Sequence, residues 1–79
     1  MSRALPVRPR DPLLKRLYDR RYAPGQTITT TVDQLTAHGC PASWRAVQHW
    51  LVKQKSPGRL LRPMLARALD ELEGADHAR

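Results

Sequence analysis

Acidic residues are scarce in this chain. Seven Asp and Glu stand against fourteen Lys and Arg, a formal net charge of +7. Cysteine is almost absent: Cys40 alone excludes an internal disulfide and points to a reducing, cytoplasmic setting. There is no Phe, so two Trp and two Tyr carry the aromatic bulk. No apolar run approaches the roughly 20 residues of a membrane span, and the N-terminus lacks the apolar stretch of a secretory signal. No Gly-rich phosphate loop or paired-carboxylate site is present, so neither an enzyme nor a cofactor is expected. His38, Cys40 and His49 lack the spacing and second thiol of a zinc site, so no metal is expected. Cys40 beside His38 has no supporting acid for a nucleophile and reads as a turn cysteine.

What is there begins with the charge, which is uneven. Residues 1–67 hold thirteen Lys or Arg against three Asp, and residues 68–79 hold four acids against Arg79. A basic body of this density meets a polyanion: nucleic acid first, an acidic protein surface second. An anionic membrane is the weakest match, because no basic amphipathic helix has an apolar face free of core duty. Seventy-nine residues with 41% hydrophobic content suffice for one small domain. A core this small is near the limit of independent stability, so self-association would help it.

Residues 31–53, TVDQLTAHGCPASWRAVQHWLVK, organise the rest. Thr31 can cap a helix beginning near Val32, with Gln34 at the capping-box position. Val32 and Leu35 face inward, and Gly39 stops the helix. Pro41 cannot continue that helix, so Cys40-Pro41-Ala42 makes the turn. Ser43 caps a second helix. There Trp44, Val47, Trp50 and Leu51 fall on one face, predicted to be buried. Arg45, Gln48, His49 and Val52 fall on the other. Arg, Gln and His can bond base edges, although an ordinary amphipathic helix shows the same pattern.

The flanks complete the expectation. Residues 1–10, MSRALPVRPR, are too proline-rich for a helix and too short to pack, which predicts a flexible basic arm. Arg3, Arg8 and Arg10 would lie along DNA or enter a minor groove; the plainer reading is a frayed terminus. Asp11-Pro12 opens a helix with Leu13, Leu14, Leu17 and Tyr18 inside. Its Arg20 and Arg21 either reach phosphates or are simply solvated. Residues 27–32 have strand propensity and read as an extended lead-in, with a short strand as the competing reading. After Lys53 and Lys55, Ser56-Pro57-Gly58 breaks the chain. A last helix starts near Arg62-Pro63, carries Leu61, Leu65, Ala68, Leu69 and Leu72 at helical spacing, and stops at Gly74. The domain is thus set at residues 11–74, with a flexible tail over 75–79. The fold expected is all-α, about four helices around a central helix-turn-helix.

From Leu35 to Leu51 the chain resembles the helix-turn-helix transcriptional regulators of phages and plasmids, such as the lambda-type repressors. The residues that carry the likeness are Leu35, Gly39, Ser43, Val47 and Trp50. Gly39 precedes Val47 by eight positions, a longer turn than the tight form of the motif. The resemblance implies sequence-specific binding of double-stranded DNA by a regulator, expected to be a repressor of a phage or mobile element. Arg45, Gln48 and His49 would read bases. Ser43, Lys53, Lys55, Arg20 and Arg21 would hold phosphates. Leu65, Leu69 and Leu72 would form the interface of a homodimer on a palindromic site. The alternative is a small basic phage-type protein that binds and modulates a protein machine such as host RNA polymerase, with Trp and Arg as anchors.

Overall fold

Four local stop and start signals divide the chain into helices: α1 (Pro12–Arg21), α2 (Ile28–Ala37), α3 (Trp44–Lys53) and α4 (Leu61–His77). The computed structural model describes residues 5–77, and no strand occurs among them. At α1 the Asp11 carboxylate accepts from the Leu13 and Leu14 amides at 2.9 and 3.4 Å, and Pro12 occupies the first helical position. At α3 the Ser43 hydroxyl oxygen accepts from the Ala46 amide at 3.1 Å. Each cap satisfies donors that the first turn would otherwise leave bare.

Two boundaries differ from the sequence expectation. α2 begins four residues before Val32, so residues 28–31 are neither lead-in nor strand. Its cap is Thr27, whose hydroxyl oxygen accepts from the Thr30 amide at 3.0 Å. Thr31 is fully buried inside the helix, and its hydroxyl donates to the Thr27 carbonyl at 2.8 Å. Thr31 and Leu35 lie one turn apart on the buried face, and that packing outweighs the β-preference of the threonine run. α4 does start at Leu61 with Pro63 in its first turn, but it runs through Gly74 to His77. A glycine ends a helix when it turns left-handed, as Gly39 does at φ 87°. Gly74 stays helical, and the His77 ring Nδ1–H donates to the Glu73 carbonyl at 2.7 Å. Residues 75–77 of the expected tail thus belong to α4.

α1 and α2 pack together, and both α3 and α4 pack on them, while the backbones of α3 and α4 stay apart. Leu14, Leu17, Leu35, Val47, Leu51, Leu65 and Leu69 are sealed in the centre. This corrects the expected dimer face. Leu65, Leu69 and Leu72 are 0, 0 and 7% exposed within one copy, because so small a domain needs the whole stripe for its own core.

The N-terminal segment is also placed. Pro9 is buried, the Tyr18 hydroxyl donates to the Pro6 carbonyl at 2.7 Å, and Arg8 pairs with Asp19. Residues 6–9 thus lie along α1 instead of hanging free. Arg10 is exposed, and Arg3 lies outside the described residues.

Charge stitches α4 back to the earlier chain. Arg16 reaches Asp70 and Glu73 at 2.6 and 2.9 Å. Arg62 binds Asp11 at 2.9 Å. Glu71 takes His38 at 2.8 Å and Arg67 at 3.1 Å. The Arg62 guanidinium holds the Asp11 carboxyl below the usual range, Arg8 does so for Asp19, and His38 and then Arg67 for Glu71.

Two outcomes are expected. Leu69→Ala should lower stability by about 2–5 kcal/mol. Its unfolding midpoint should not depend on protein concentration; a concentration-dependent midpoint would return Leu69 to an interface. The depressed carboxylates stabilise the fold above their unfolded pKa of about 4 and cease to do so as pH falls through the lower folded values. The melting temperature should therefore hold from pH 7 to about pH 5 and decline below about pH 4. Asp11→Asn keeps the cap but loses the Arg62 ion pair, so it should melt earlier at pH 7 and show a shallower acid decline. An unchanged acid slope would remove that pair from the account.

Candidate nucleic-acid interface

α3 turns three apolar side chains inward and the rest outward. Val47, Trp50 and Leu51 are buried, and Arg45, Gln48, His49, Val52 and Lys53 are exposed and line one shallow depression. The three residues expected to read bases are thus neighbours on one open surface. Arg21 of α1 joins them from the side, lining a second small hollow with Gln48. Its guanidinium lies 4.7 Å from the centre of the Tyr22 ring, which orients it without neutralising it.

The first turn of α3 is held to the core by the half-buried Ala46 and exposes its other side chains. Pro41, Ser43, Trp44 and Arg45 are all exposed. This corrects the placement of Trp44, which is 54% exposed instead of buried. Helical side chains tilt toward the N-terminus, so a residue at the first position points past the end of the core. Cys40 and Ala42 are buried in the turn just before it. The Arg45 guanidinium lies 5.7 Å from the centre of the Trp44 ring. Ser43 spends an oxygen lone pair on its cap but stays exposed, with its hydroxyl proton uncommitted among the described residues.

The expected phosphate contacts separate into two kinds. Arg20 is withdrawn: its side chain is 12% exposed, donates to Gln34 Oε1 at 3.1 Å and pairs with Asp76 of α4. It is a largely covered strut between α1, α2 and α4, a correction to its expected role. Lys53 and Lys55 are exposed, and neither they nor Arg21 meet a carboxylate among the described residues. Arg8, expected as an arm contact, is instead bound to both carboxylate oxygens of Asp19.

Taken together, six of the seven acids pair with Arg or His, mostly on α1 and α4. Arg45, Lys53, Lys55 and Arg59 have no carboxylate partner among the described residues. Arg59, exposed in the loop before α4, was not anticipated from the sequence. A signal for it was present: no Asp or Glu occurs between Asp33 and Asp70. Paired charges thus gather on α1 and α4, whereas the outward cations of α3 and the following loop stand without acids.

Other chemistry finds little support. The Cys40 thiol is buried, and burial pushes its pKa up, away from a reactive thiolate. Among the described residues no three His, Cys, Asp or Glu side chains are grouped to hold a metal ion, and no helix is long and apolar enough to cross a membrane.

Comparison of the chain with protein-family models, curated proteins and solved structures finds no match.

The two arginines at the end of α1 should behave oppositely. Arg20→Ala should lower the melting temperature and leave polyanion affinity, measured on heparin or a generic duplex, within about twofold. Arg21→Ala should leave melting nearly unchanged and weaken retention, reducing the slope of log affinity against log salt by about one unit if it contacts one phosphate. The reverse pattern would mean that the engaged and bare cations have been misassigned.

Proposed function

We propose that this chain binds double-stranded DNA in the cytoplasm as a small sequence-specific transcriptional regulator, with α3 in the major groove. The observation that carries the reading is the exposed face of α3, where Arg45, Gln48, His49 and Lys53 gather with no acid among them. A single helix fits the width of the major groove, and helix-turn-helix proteins lead with the N-terminal residues of the second helix. Arg45 stands in that turn, where its forked guanidinium can donate to guanine O6 and N7 together. Gln48 and His49 follow on the next turn. Lys53 and Arg21 adjoin them, Lys55 and Arg59 follow in the exposed loop, all suited to phosphates, and Ser43 can donate one further hydrogen bond.

Affinity in this scheme comes mainly from phosphate neutralisation and specificity from the base edges. Occupying a promoter of a phage or mobile element would make the protein a repressor. A palindromic site would place two copies side by side. Because the leucine stripe is spent inside each domain, such copies would meet through another surface or through the DNA alone.

One observation favours a second reading. Trp44 and Arg45 are exposed side by side on α3, and Trp and Arg are the side chains that dominate protein interfaces. An acidic face of a larger machine, such as host RNA polymerase, would suit them.

Binding to duplexes selected from a random library, compared with a generic duplex, separates the two. Arg45→Ala should weaken the selected duplex by roughly ten- to a hundredfold, the worth of a bidentate guanine contact, and scarcely alter the generic one. Lys55→Ala should weaken both alike, as a phosphate contact does. Equal small losses from both variants, or no duplex binding at low salt, would turn the case to the protein partner.

A further inference from the structure

Trp44 is the large side chain that the core does not use. It is 54% exposed at the first position of α3, while the other tryptophan, Trp50, is 6% exposed. An open indole on a surface of bare cations gains nothing from solvent, and keeping it there forgoes the burial that an aromatic of this size contributes. Its neighbour Arg45 orients it, with the guanidinium 5.7 Å from the ring centre. Both side chains leave the exposed side of the first turn of α3.

The major groove presents mainly polar edges, and the C5-methyl group of thymine is its apolar feature. We propose that Trp44 is a base-contacting residue whose indole packs on a thymine methyl next to the base pair bonded by Arg45. This rests on the DNA-binding reading above. Successive Cα atoms lie about 3.8 Å apart and successive base pairs about 3.4 Å apart. Adjacent residues at a helix tip therefore address the same or neighbouring steps. The site should hold a thymine within one or two base pairs of the guanine read by Arg45. Trp44 thus adds a second, methyl-based element of specificity to the hydrogen-bonding of Arg45.

The test uses the full chain and a duplex selected by it from a random library, with binding followed by the anisotropy of a dye on the DNA. A copy of that duplex carries deoxyuridine for thymine beside the guanine, which removes only the methyl group. The wild-type protein should bind the deoxyuridine copy about fourfold more weakly, as expected for one buried methyl. Trp44→Ala should bind both copies equally, and Trp44→Phe should keep part of the difference. Circular dichroism and melting should be unchanged for Trp44→Ala, since the ring lies outside the core. An equal deoxyuridine penalty in wild type and Trp44→Ala would overturn the contact while leaving DNA binding intact. So would selected sites with no thymine near the guanine. Failure to bind or select any duplex would instead overturn the DNA reading, and this contact with it.

Discussion

Arg16 and Arg20 of α1 reach into the carboxylates of α4, and the charge layout of the molecule depends on that engagement. Exposed ion pairs add little to stability, about 0–1 kcal/mol each. Their larger effect here is on where charge is left over. Asp70, Glu73 and Asp76 are met by α1 arginines, Glu71 by His38 and Arg67, and Asp11 by Arg62. These acids are thereby held on the α1–α4 side. The cations of α3 and the following loop have nothing to answer them. A uniform scatter of the same residues would give the same net charge and no directed field.

The core imposes the complementary constraint. Four short helices bury one leucine-rich interior, and α1 and α2 form the floor on which α3 and α4 separately rest. Val47, Trp50 and Leu51 attach α3 by its middle and end, with Ala46 beside them, so Trp44 and Arg45 of the first turn are left exposed. The Ser43 cap keeps that turn helical, since it satisfies a backbone amide that would otherwise compete for water or neighbouring groups. The same arrangement explains why the α4 leucines cannot serve two copies at once.

Local chemistry was the legible part of the sequence. Asp11-Pro12, Ser43 and the left-handed Gly39 announce boundaries through one or two residues, and the α4 leucines announce a buried stripe by spacing. The start of α2 was hidden, because threonines at residues 29–31 favour strands until Thr27 caps them and Leu35 finds the core. Periodicity also counted Trp44 with Val47 and Leu51, since spacing alone does not reveal that a first-position side chain overhangs the core. Arg20 was illegible for a different reason. Its partner Asp76 lies 56 residues away in the sequence, and nothing local tells a solvated arginine from a strut. The candidate face itself was readable as Arg45, Gln48 and His49, whereas the bareness of Arg59 and Lys55 emerged only once the other charges had found partners.

The separation of α3 from α4 also bears on how such a chain can change over generations. The outward side chains of α3 support no core contact and no ion pair among the described residues, and the backbone of the helix that balances the charge of α1 stays apart from it. Substitutions at residues 45, 48, 49 and 52 are therefore close to free of folding consequences. Lineages can redraw that surface one residue at a time while the α1–α4 half is inherited unaltered. A domain of this size can thus keep the residues that hold it folded apart from the few that set what it meets.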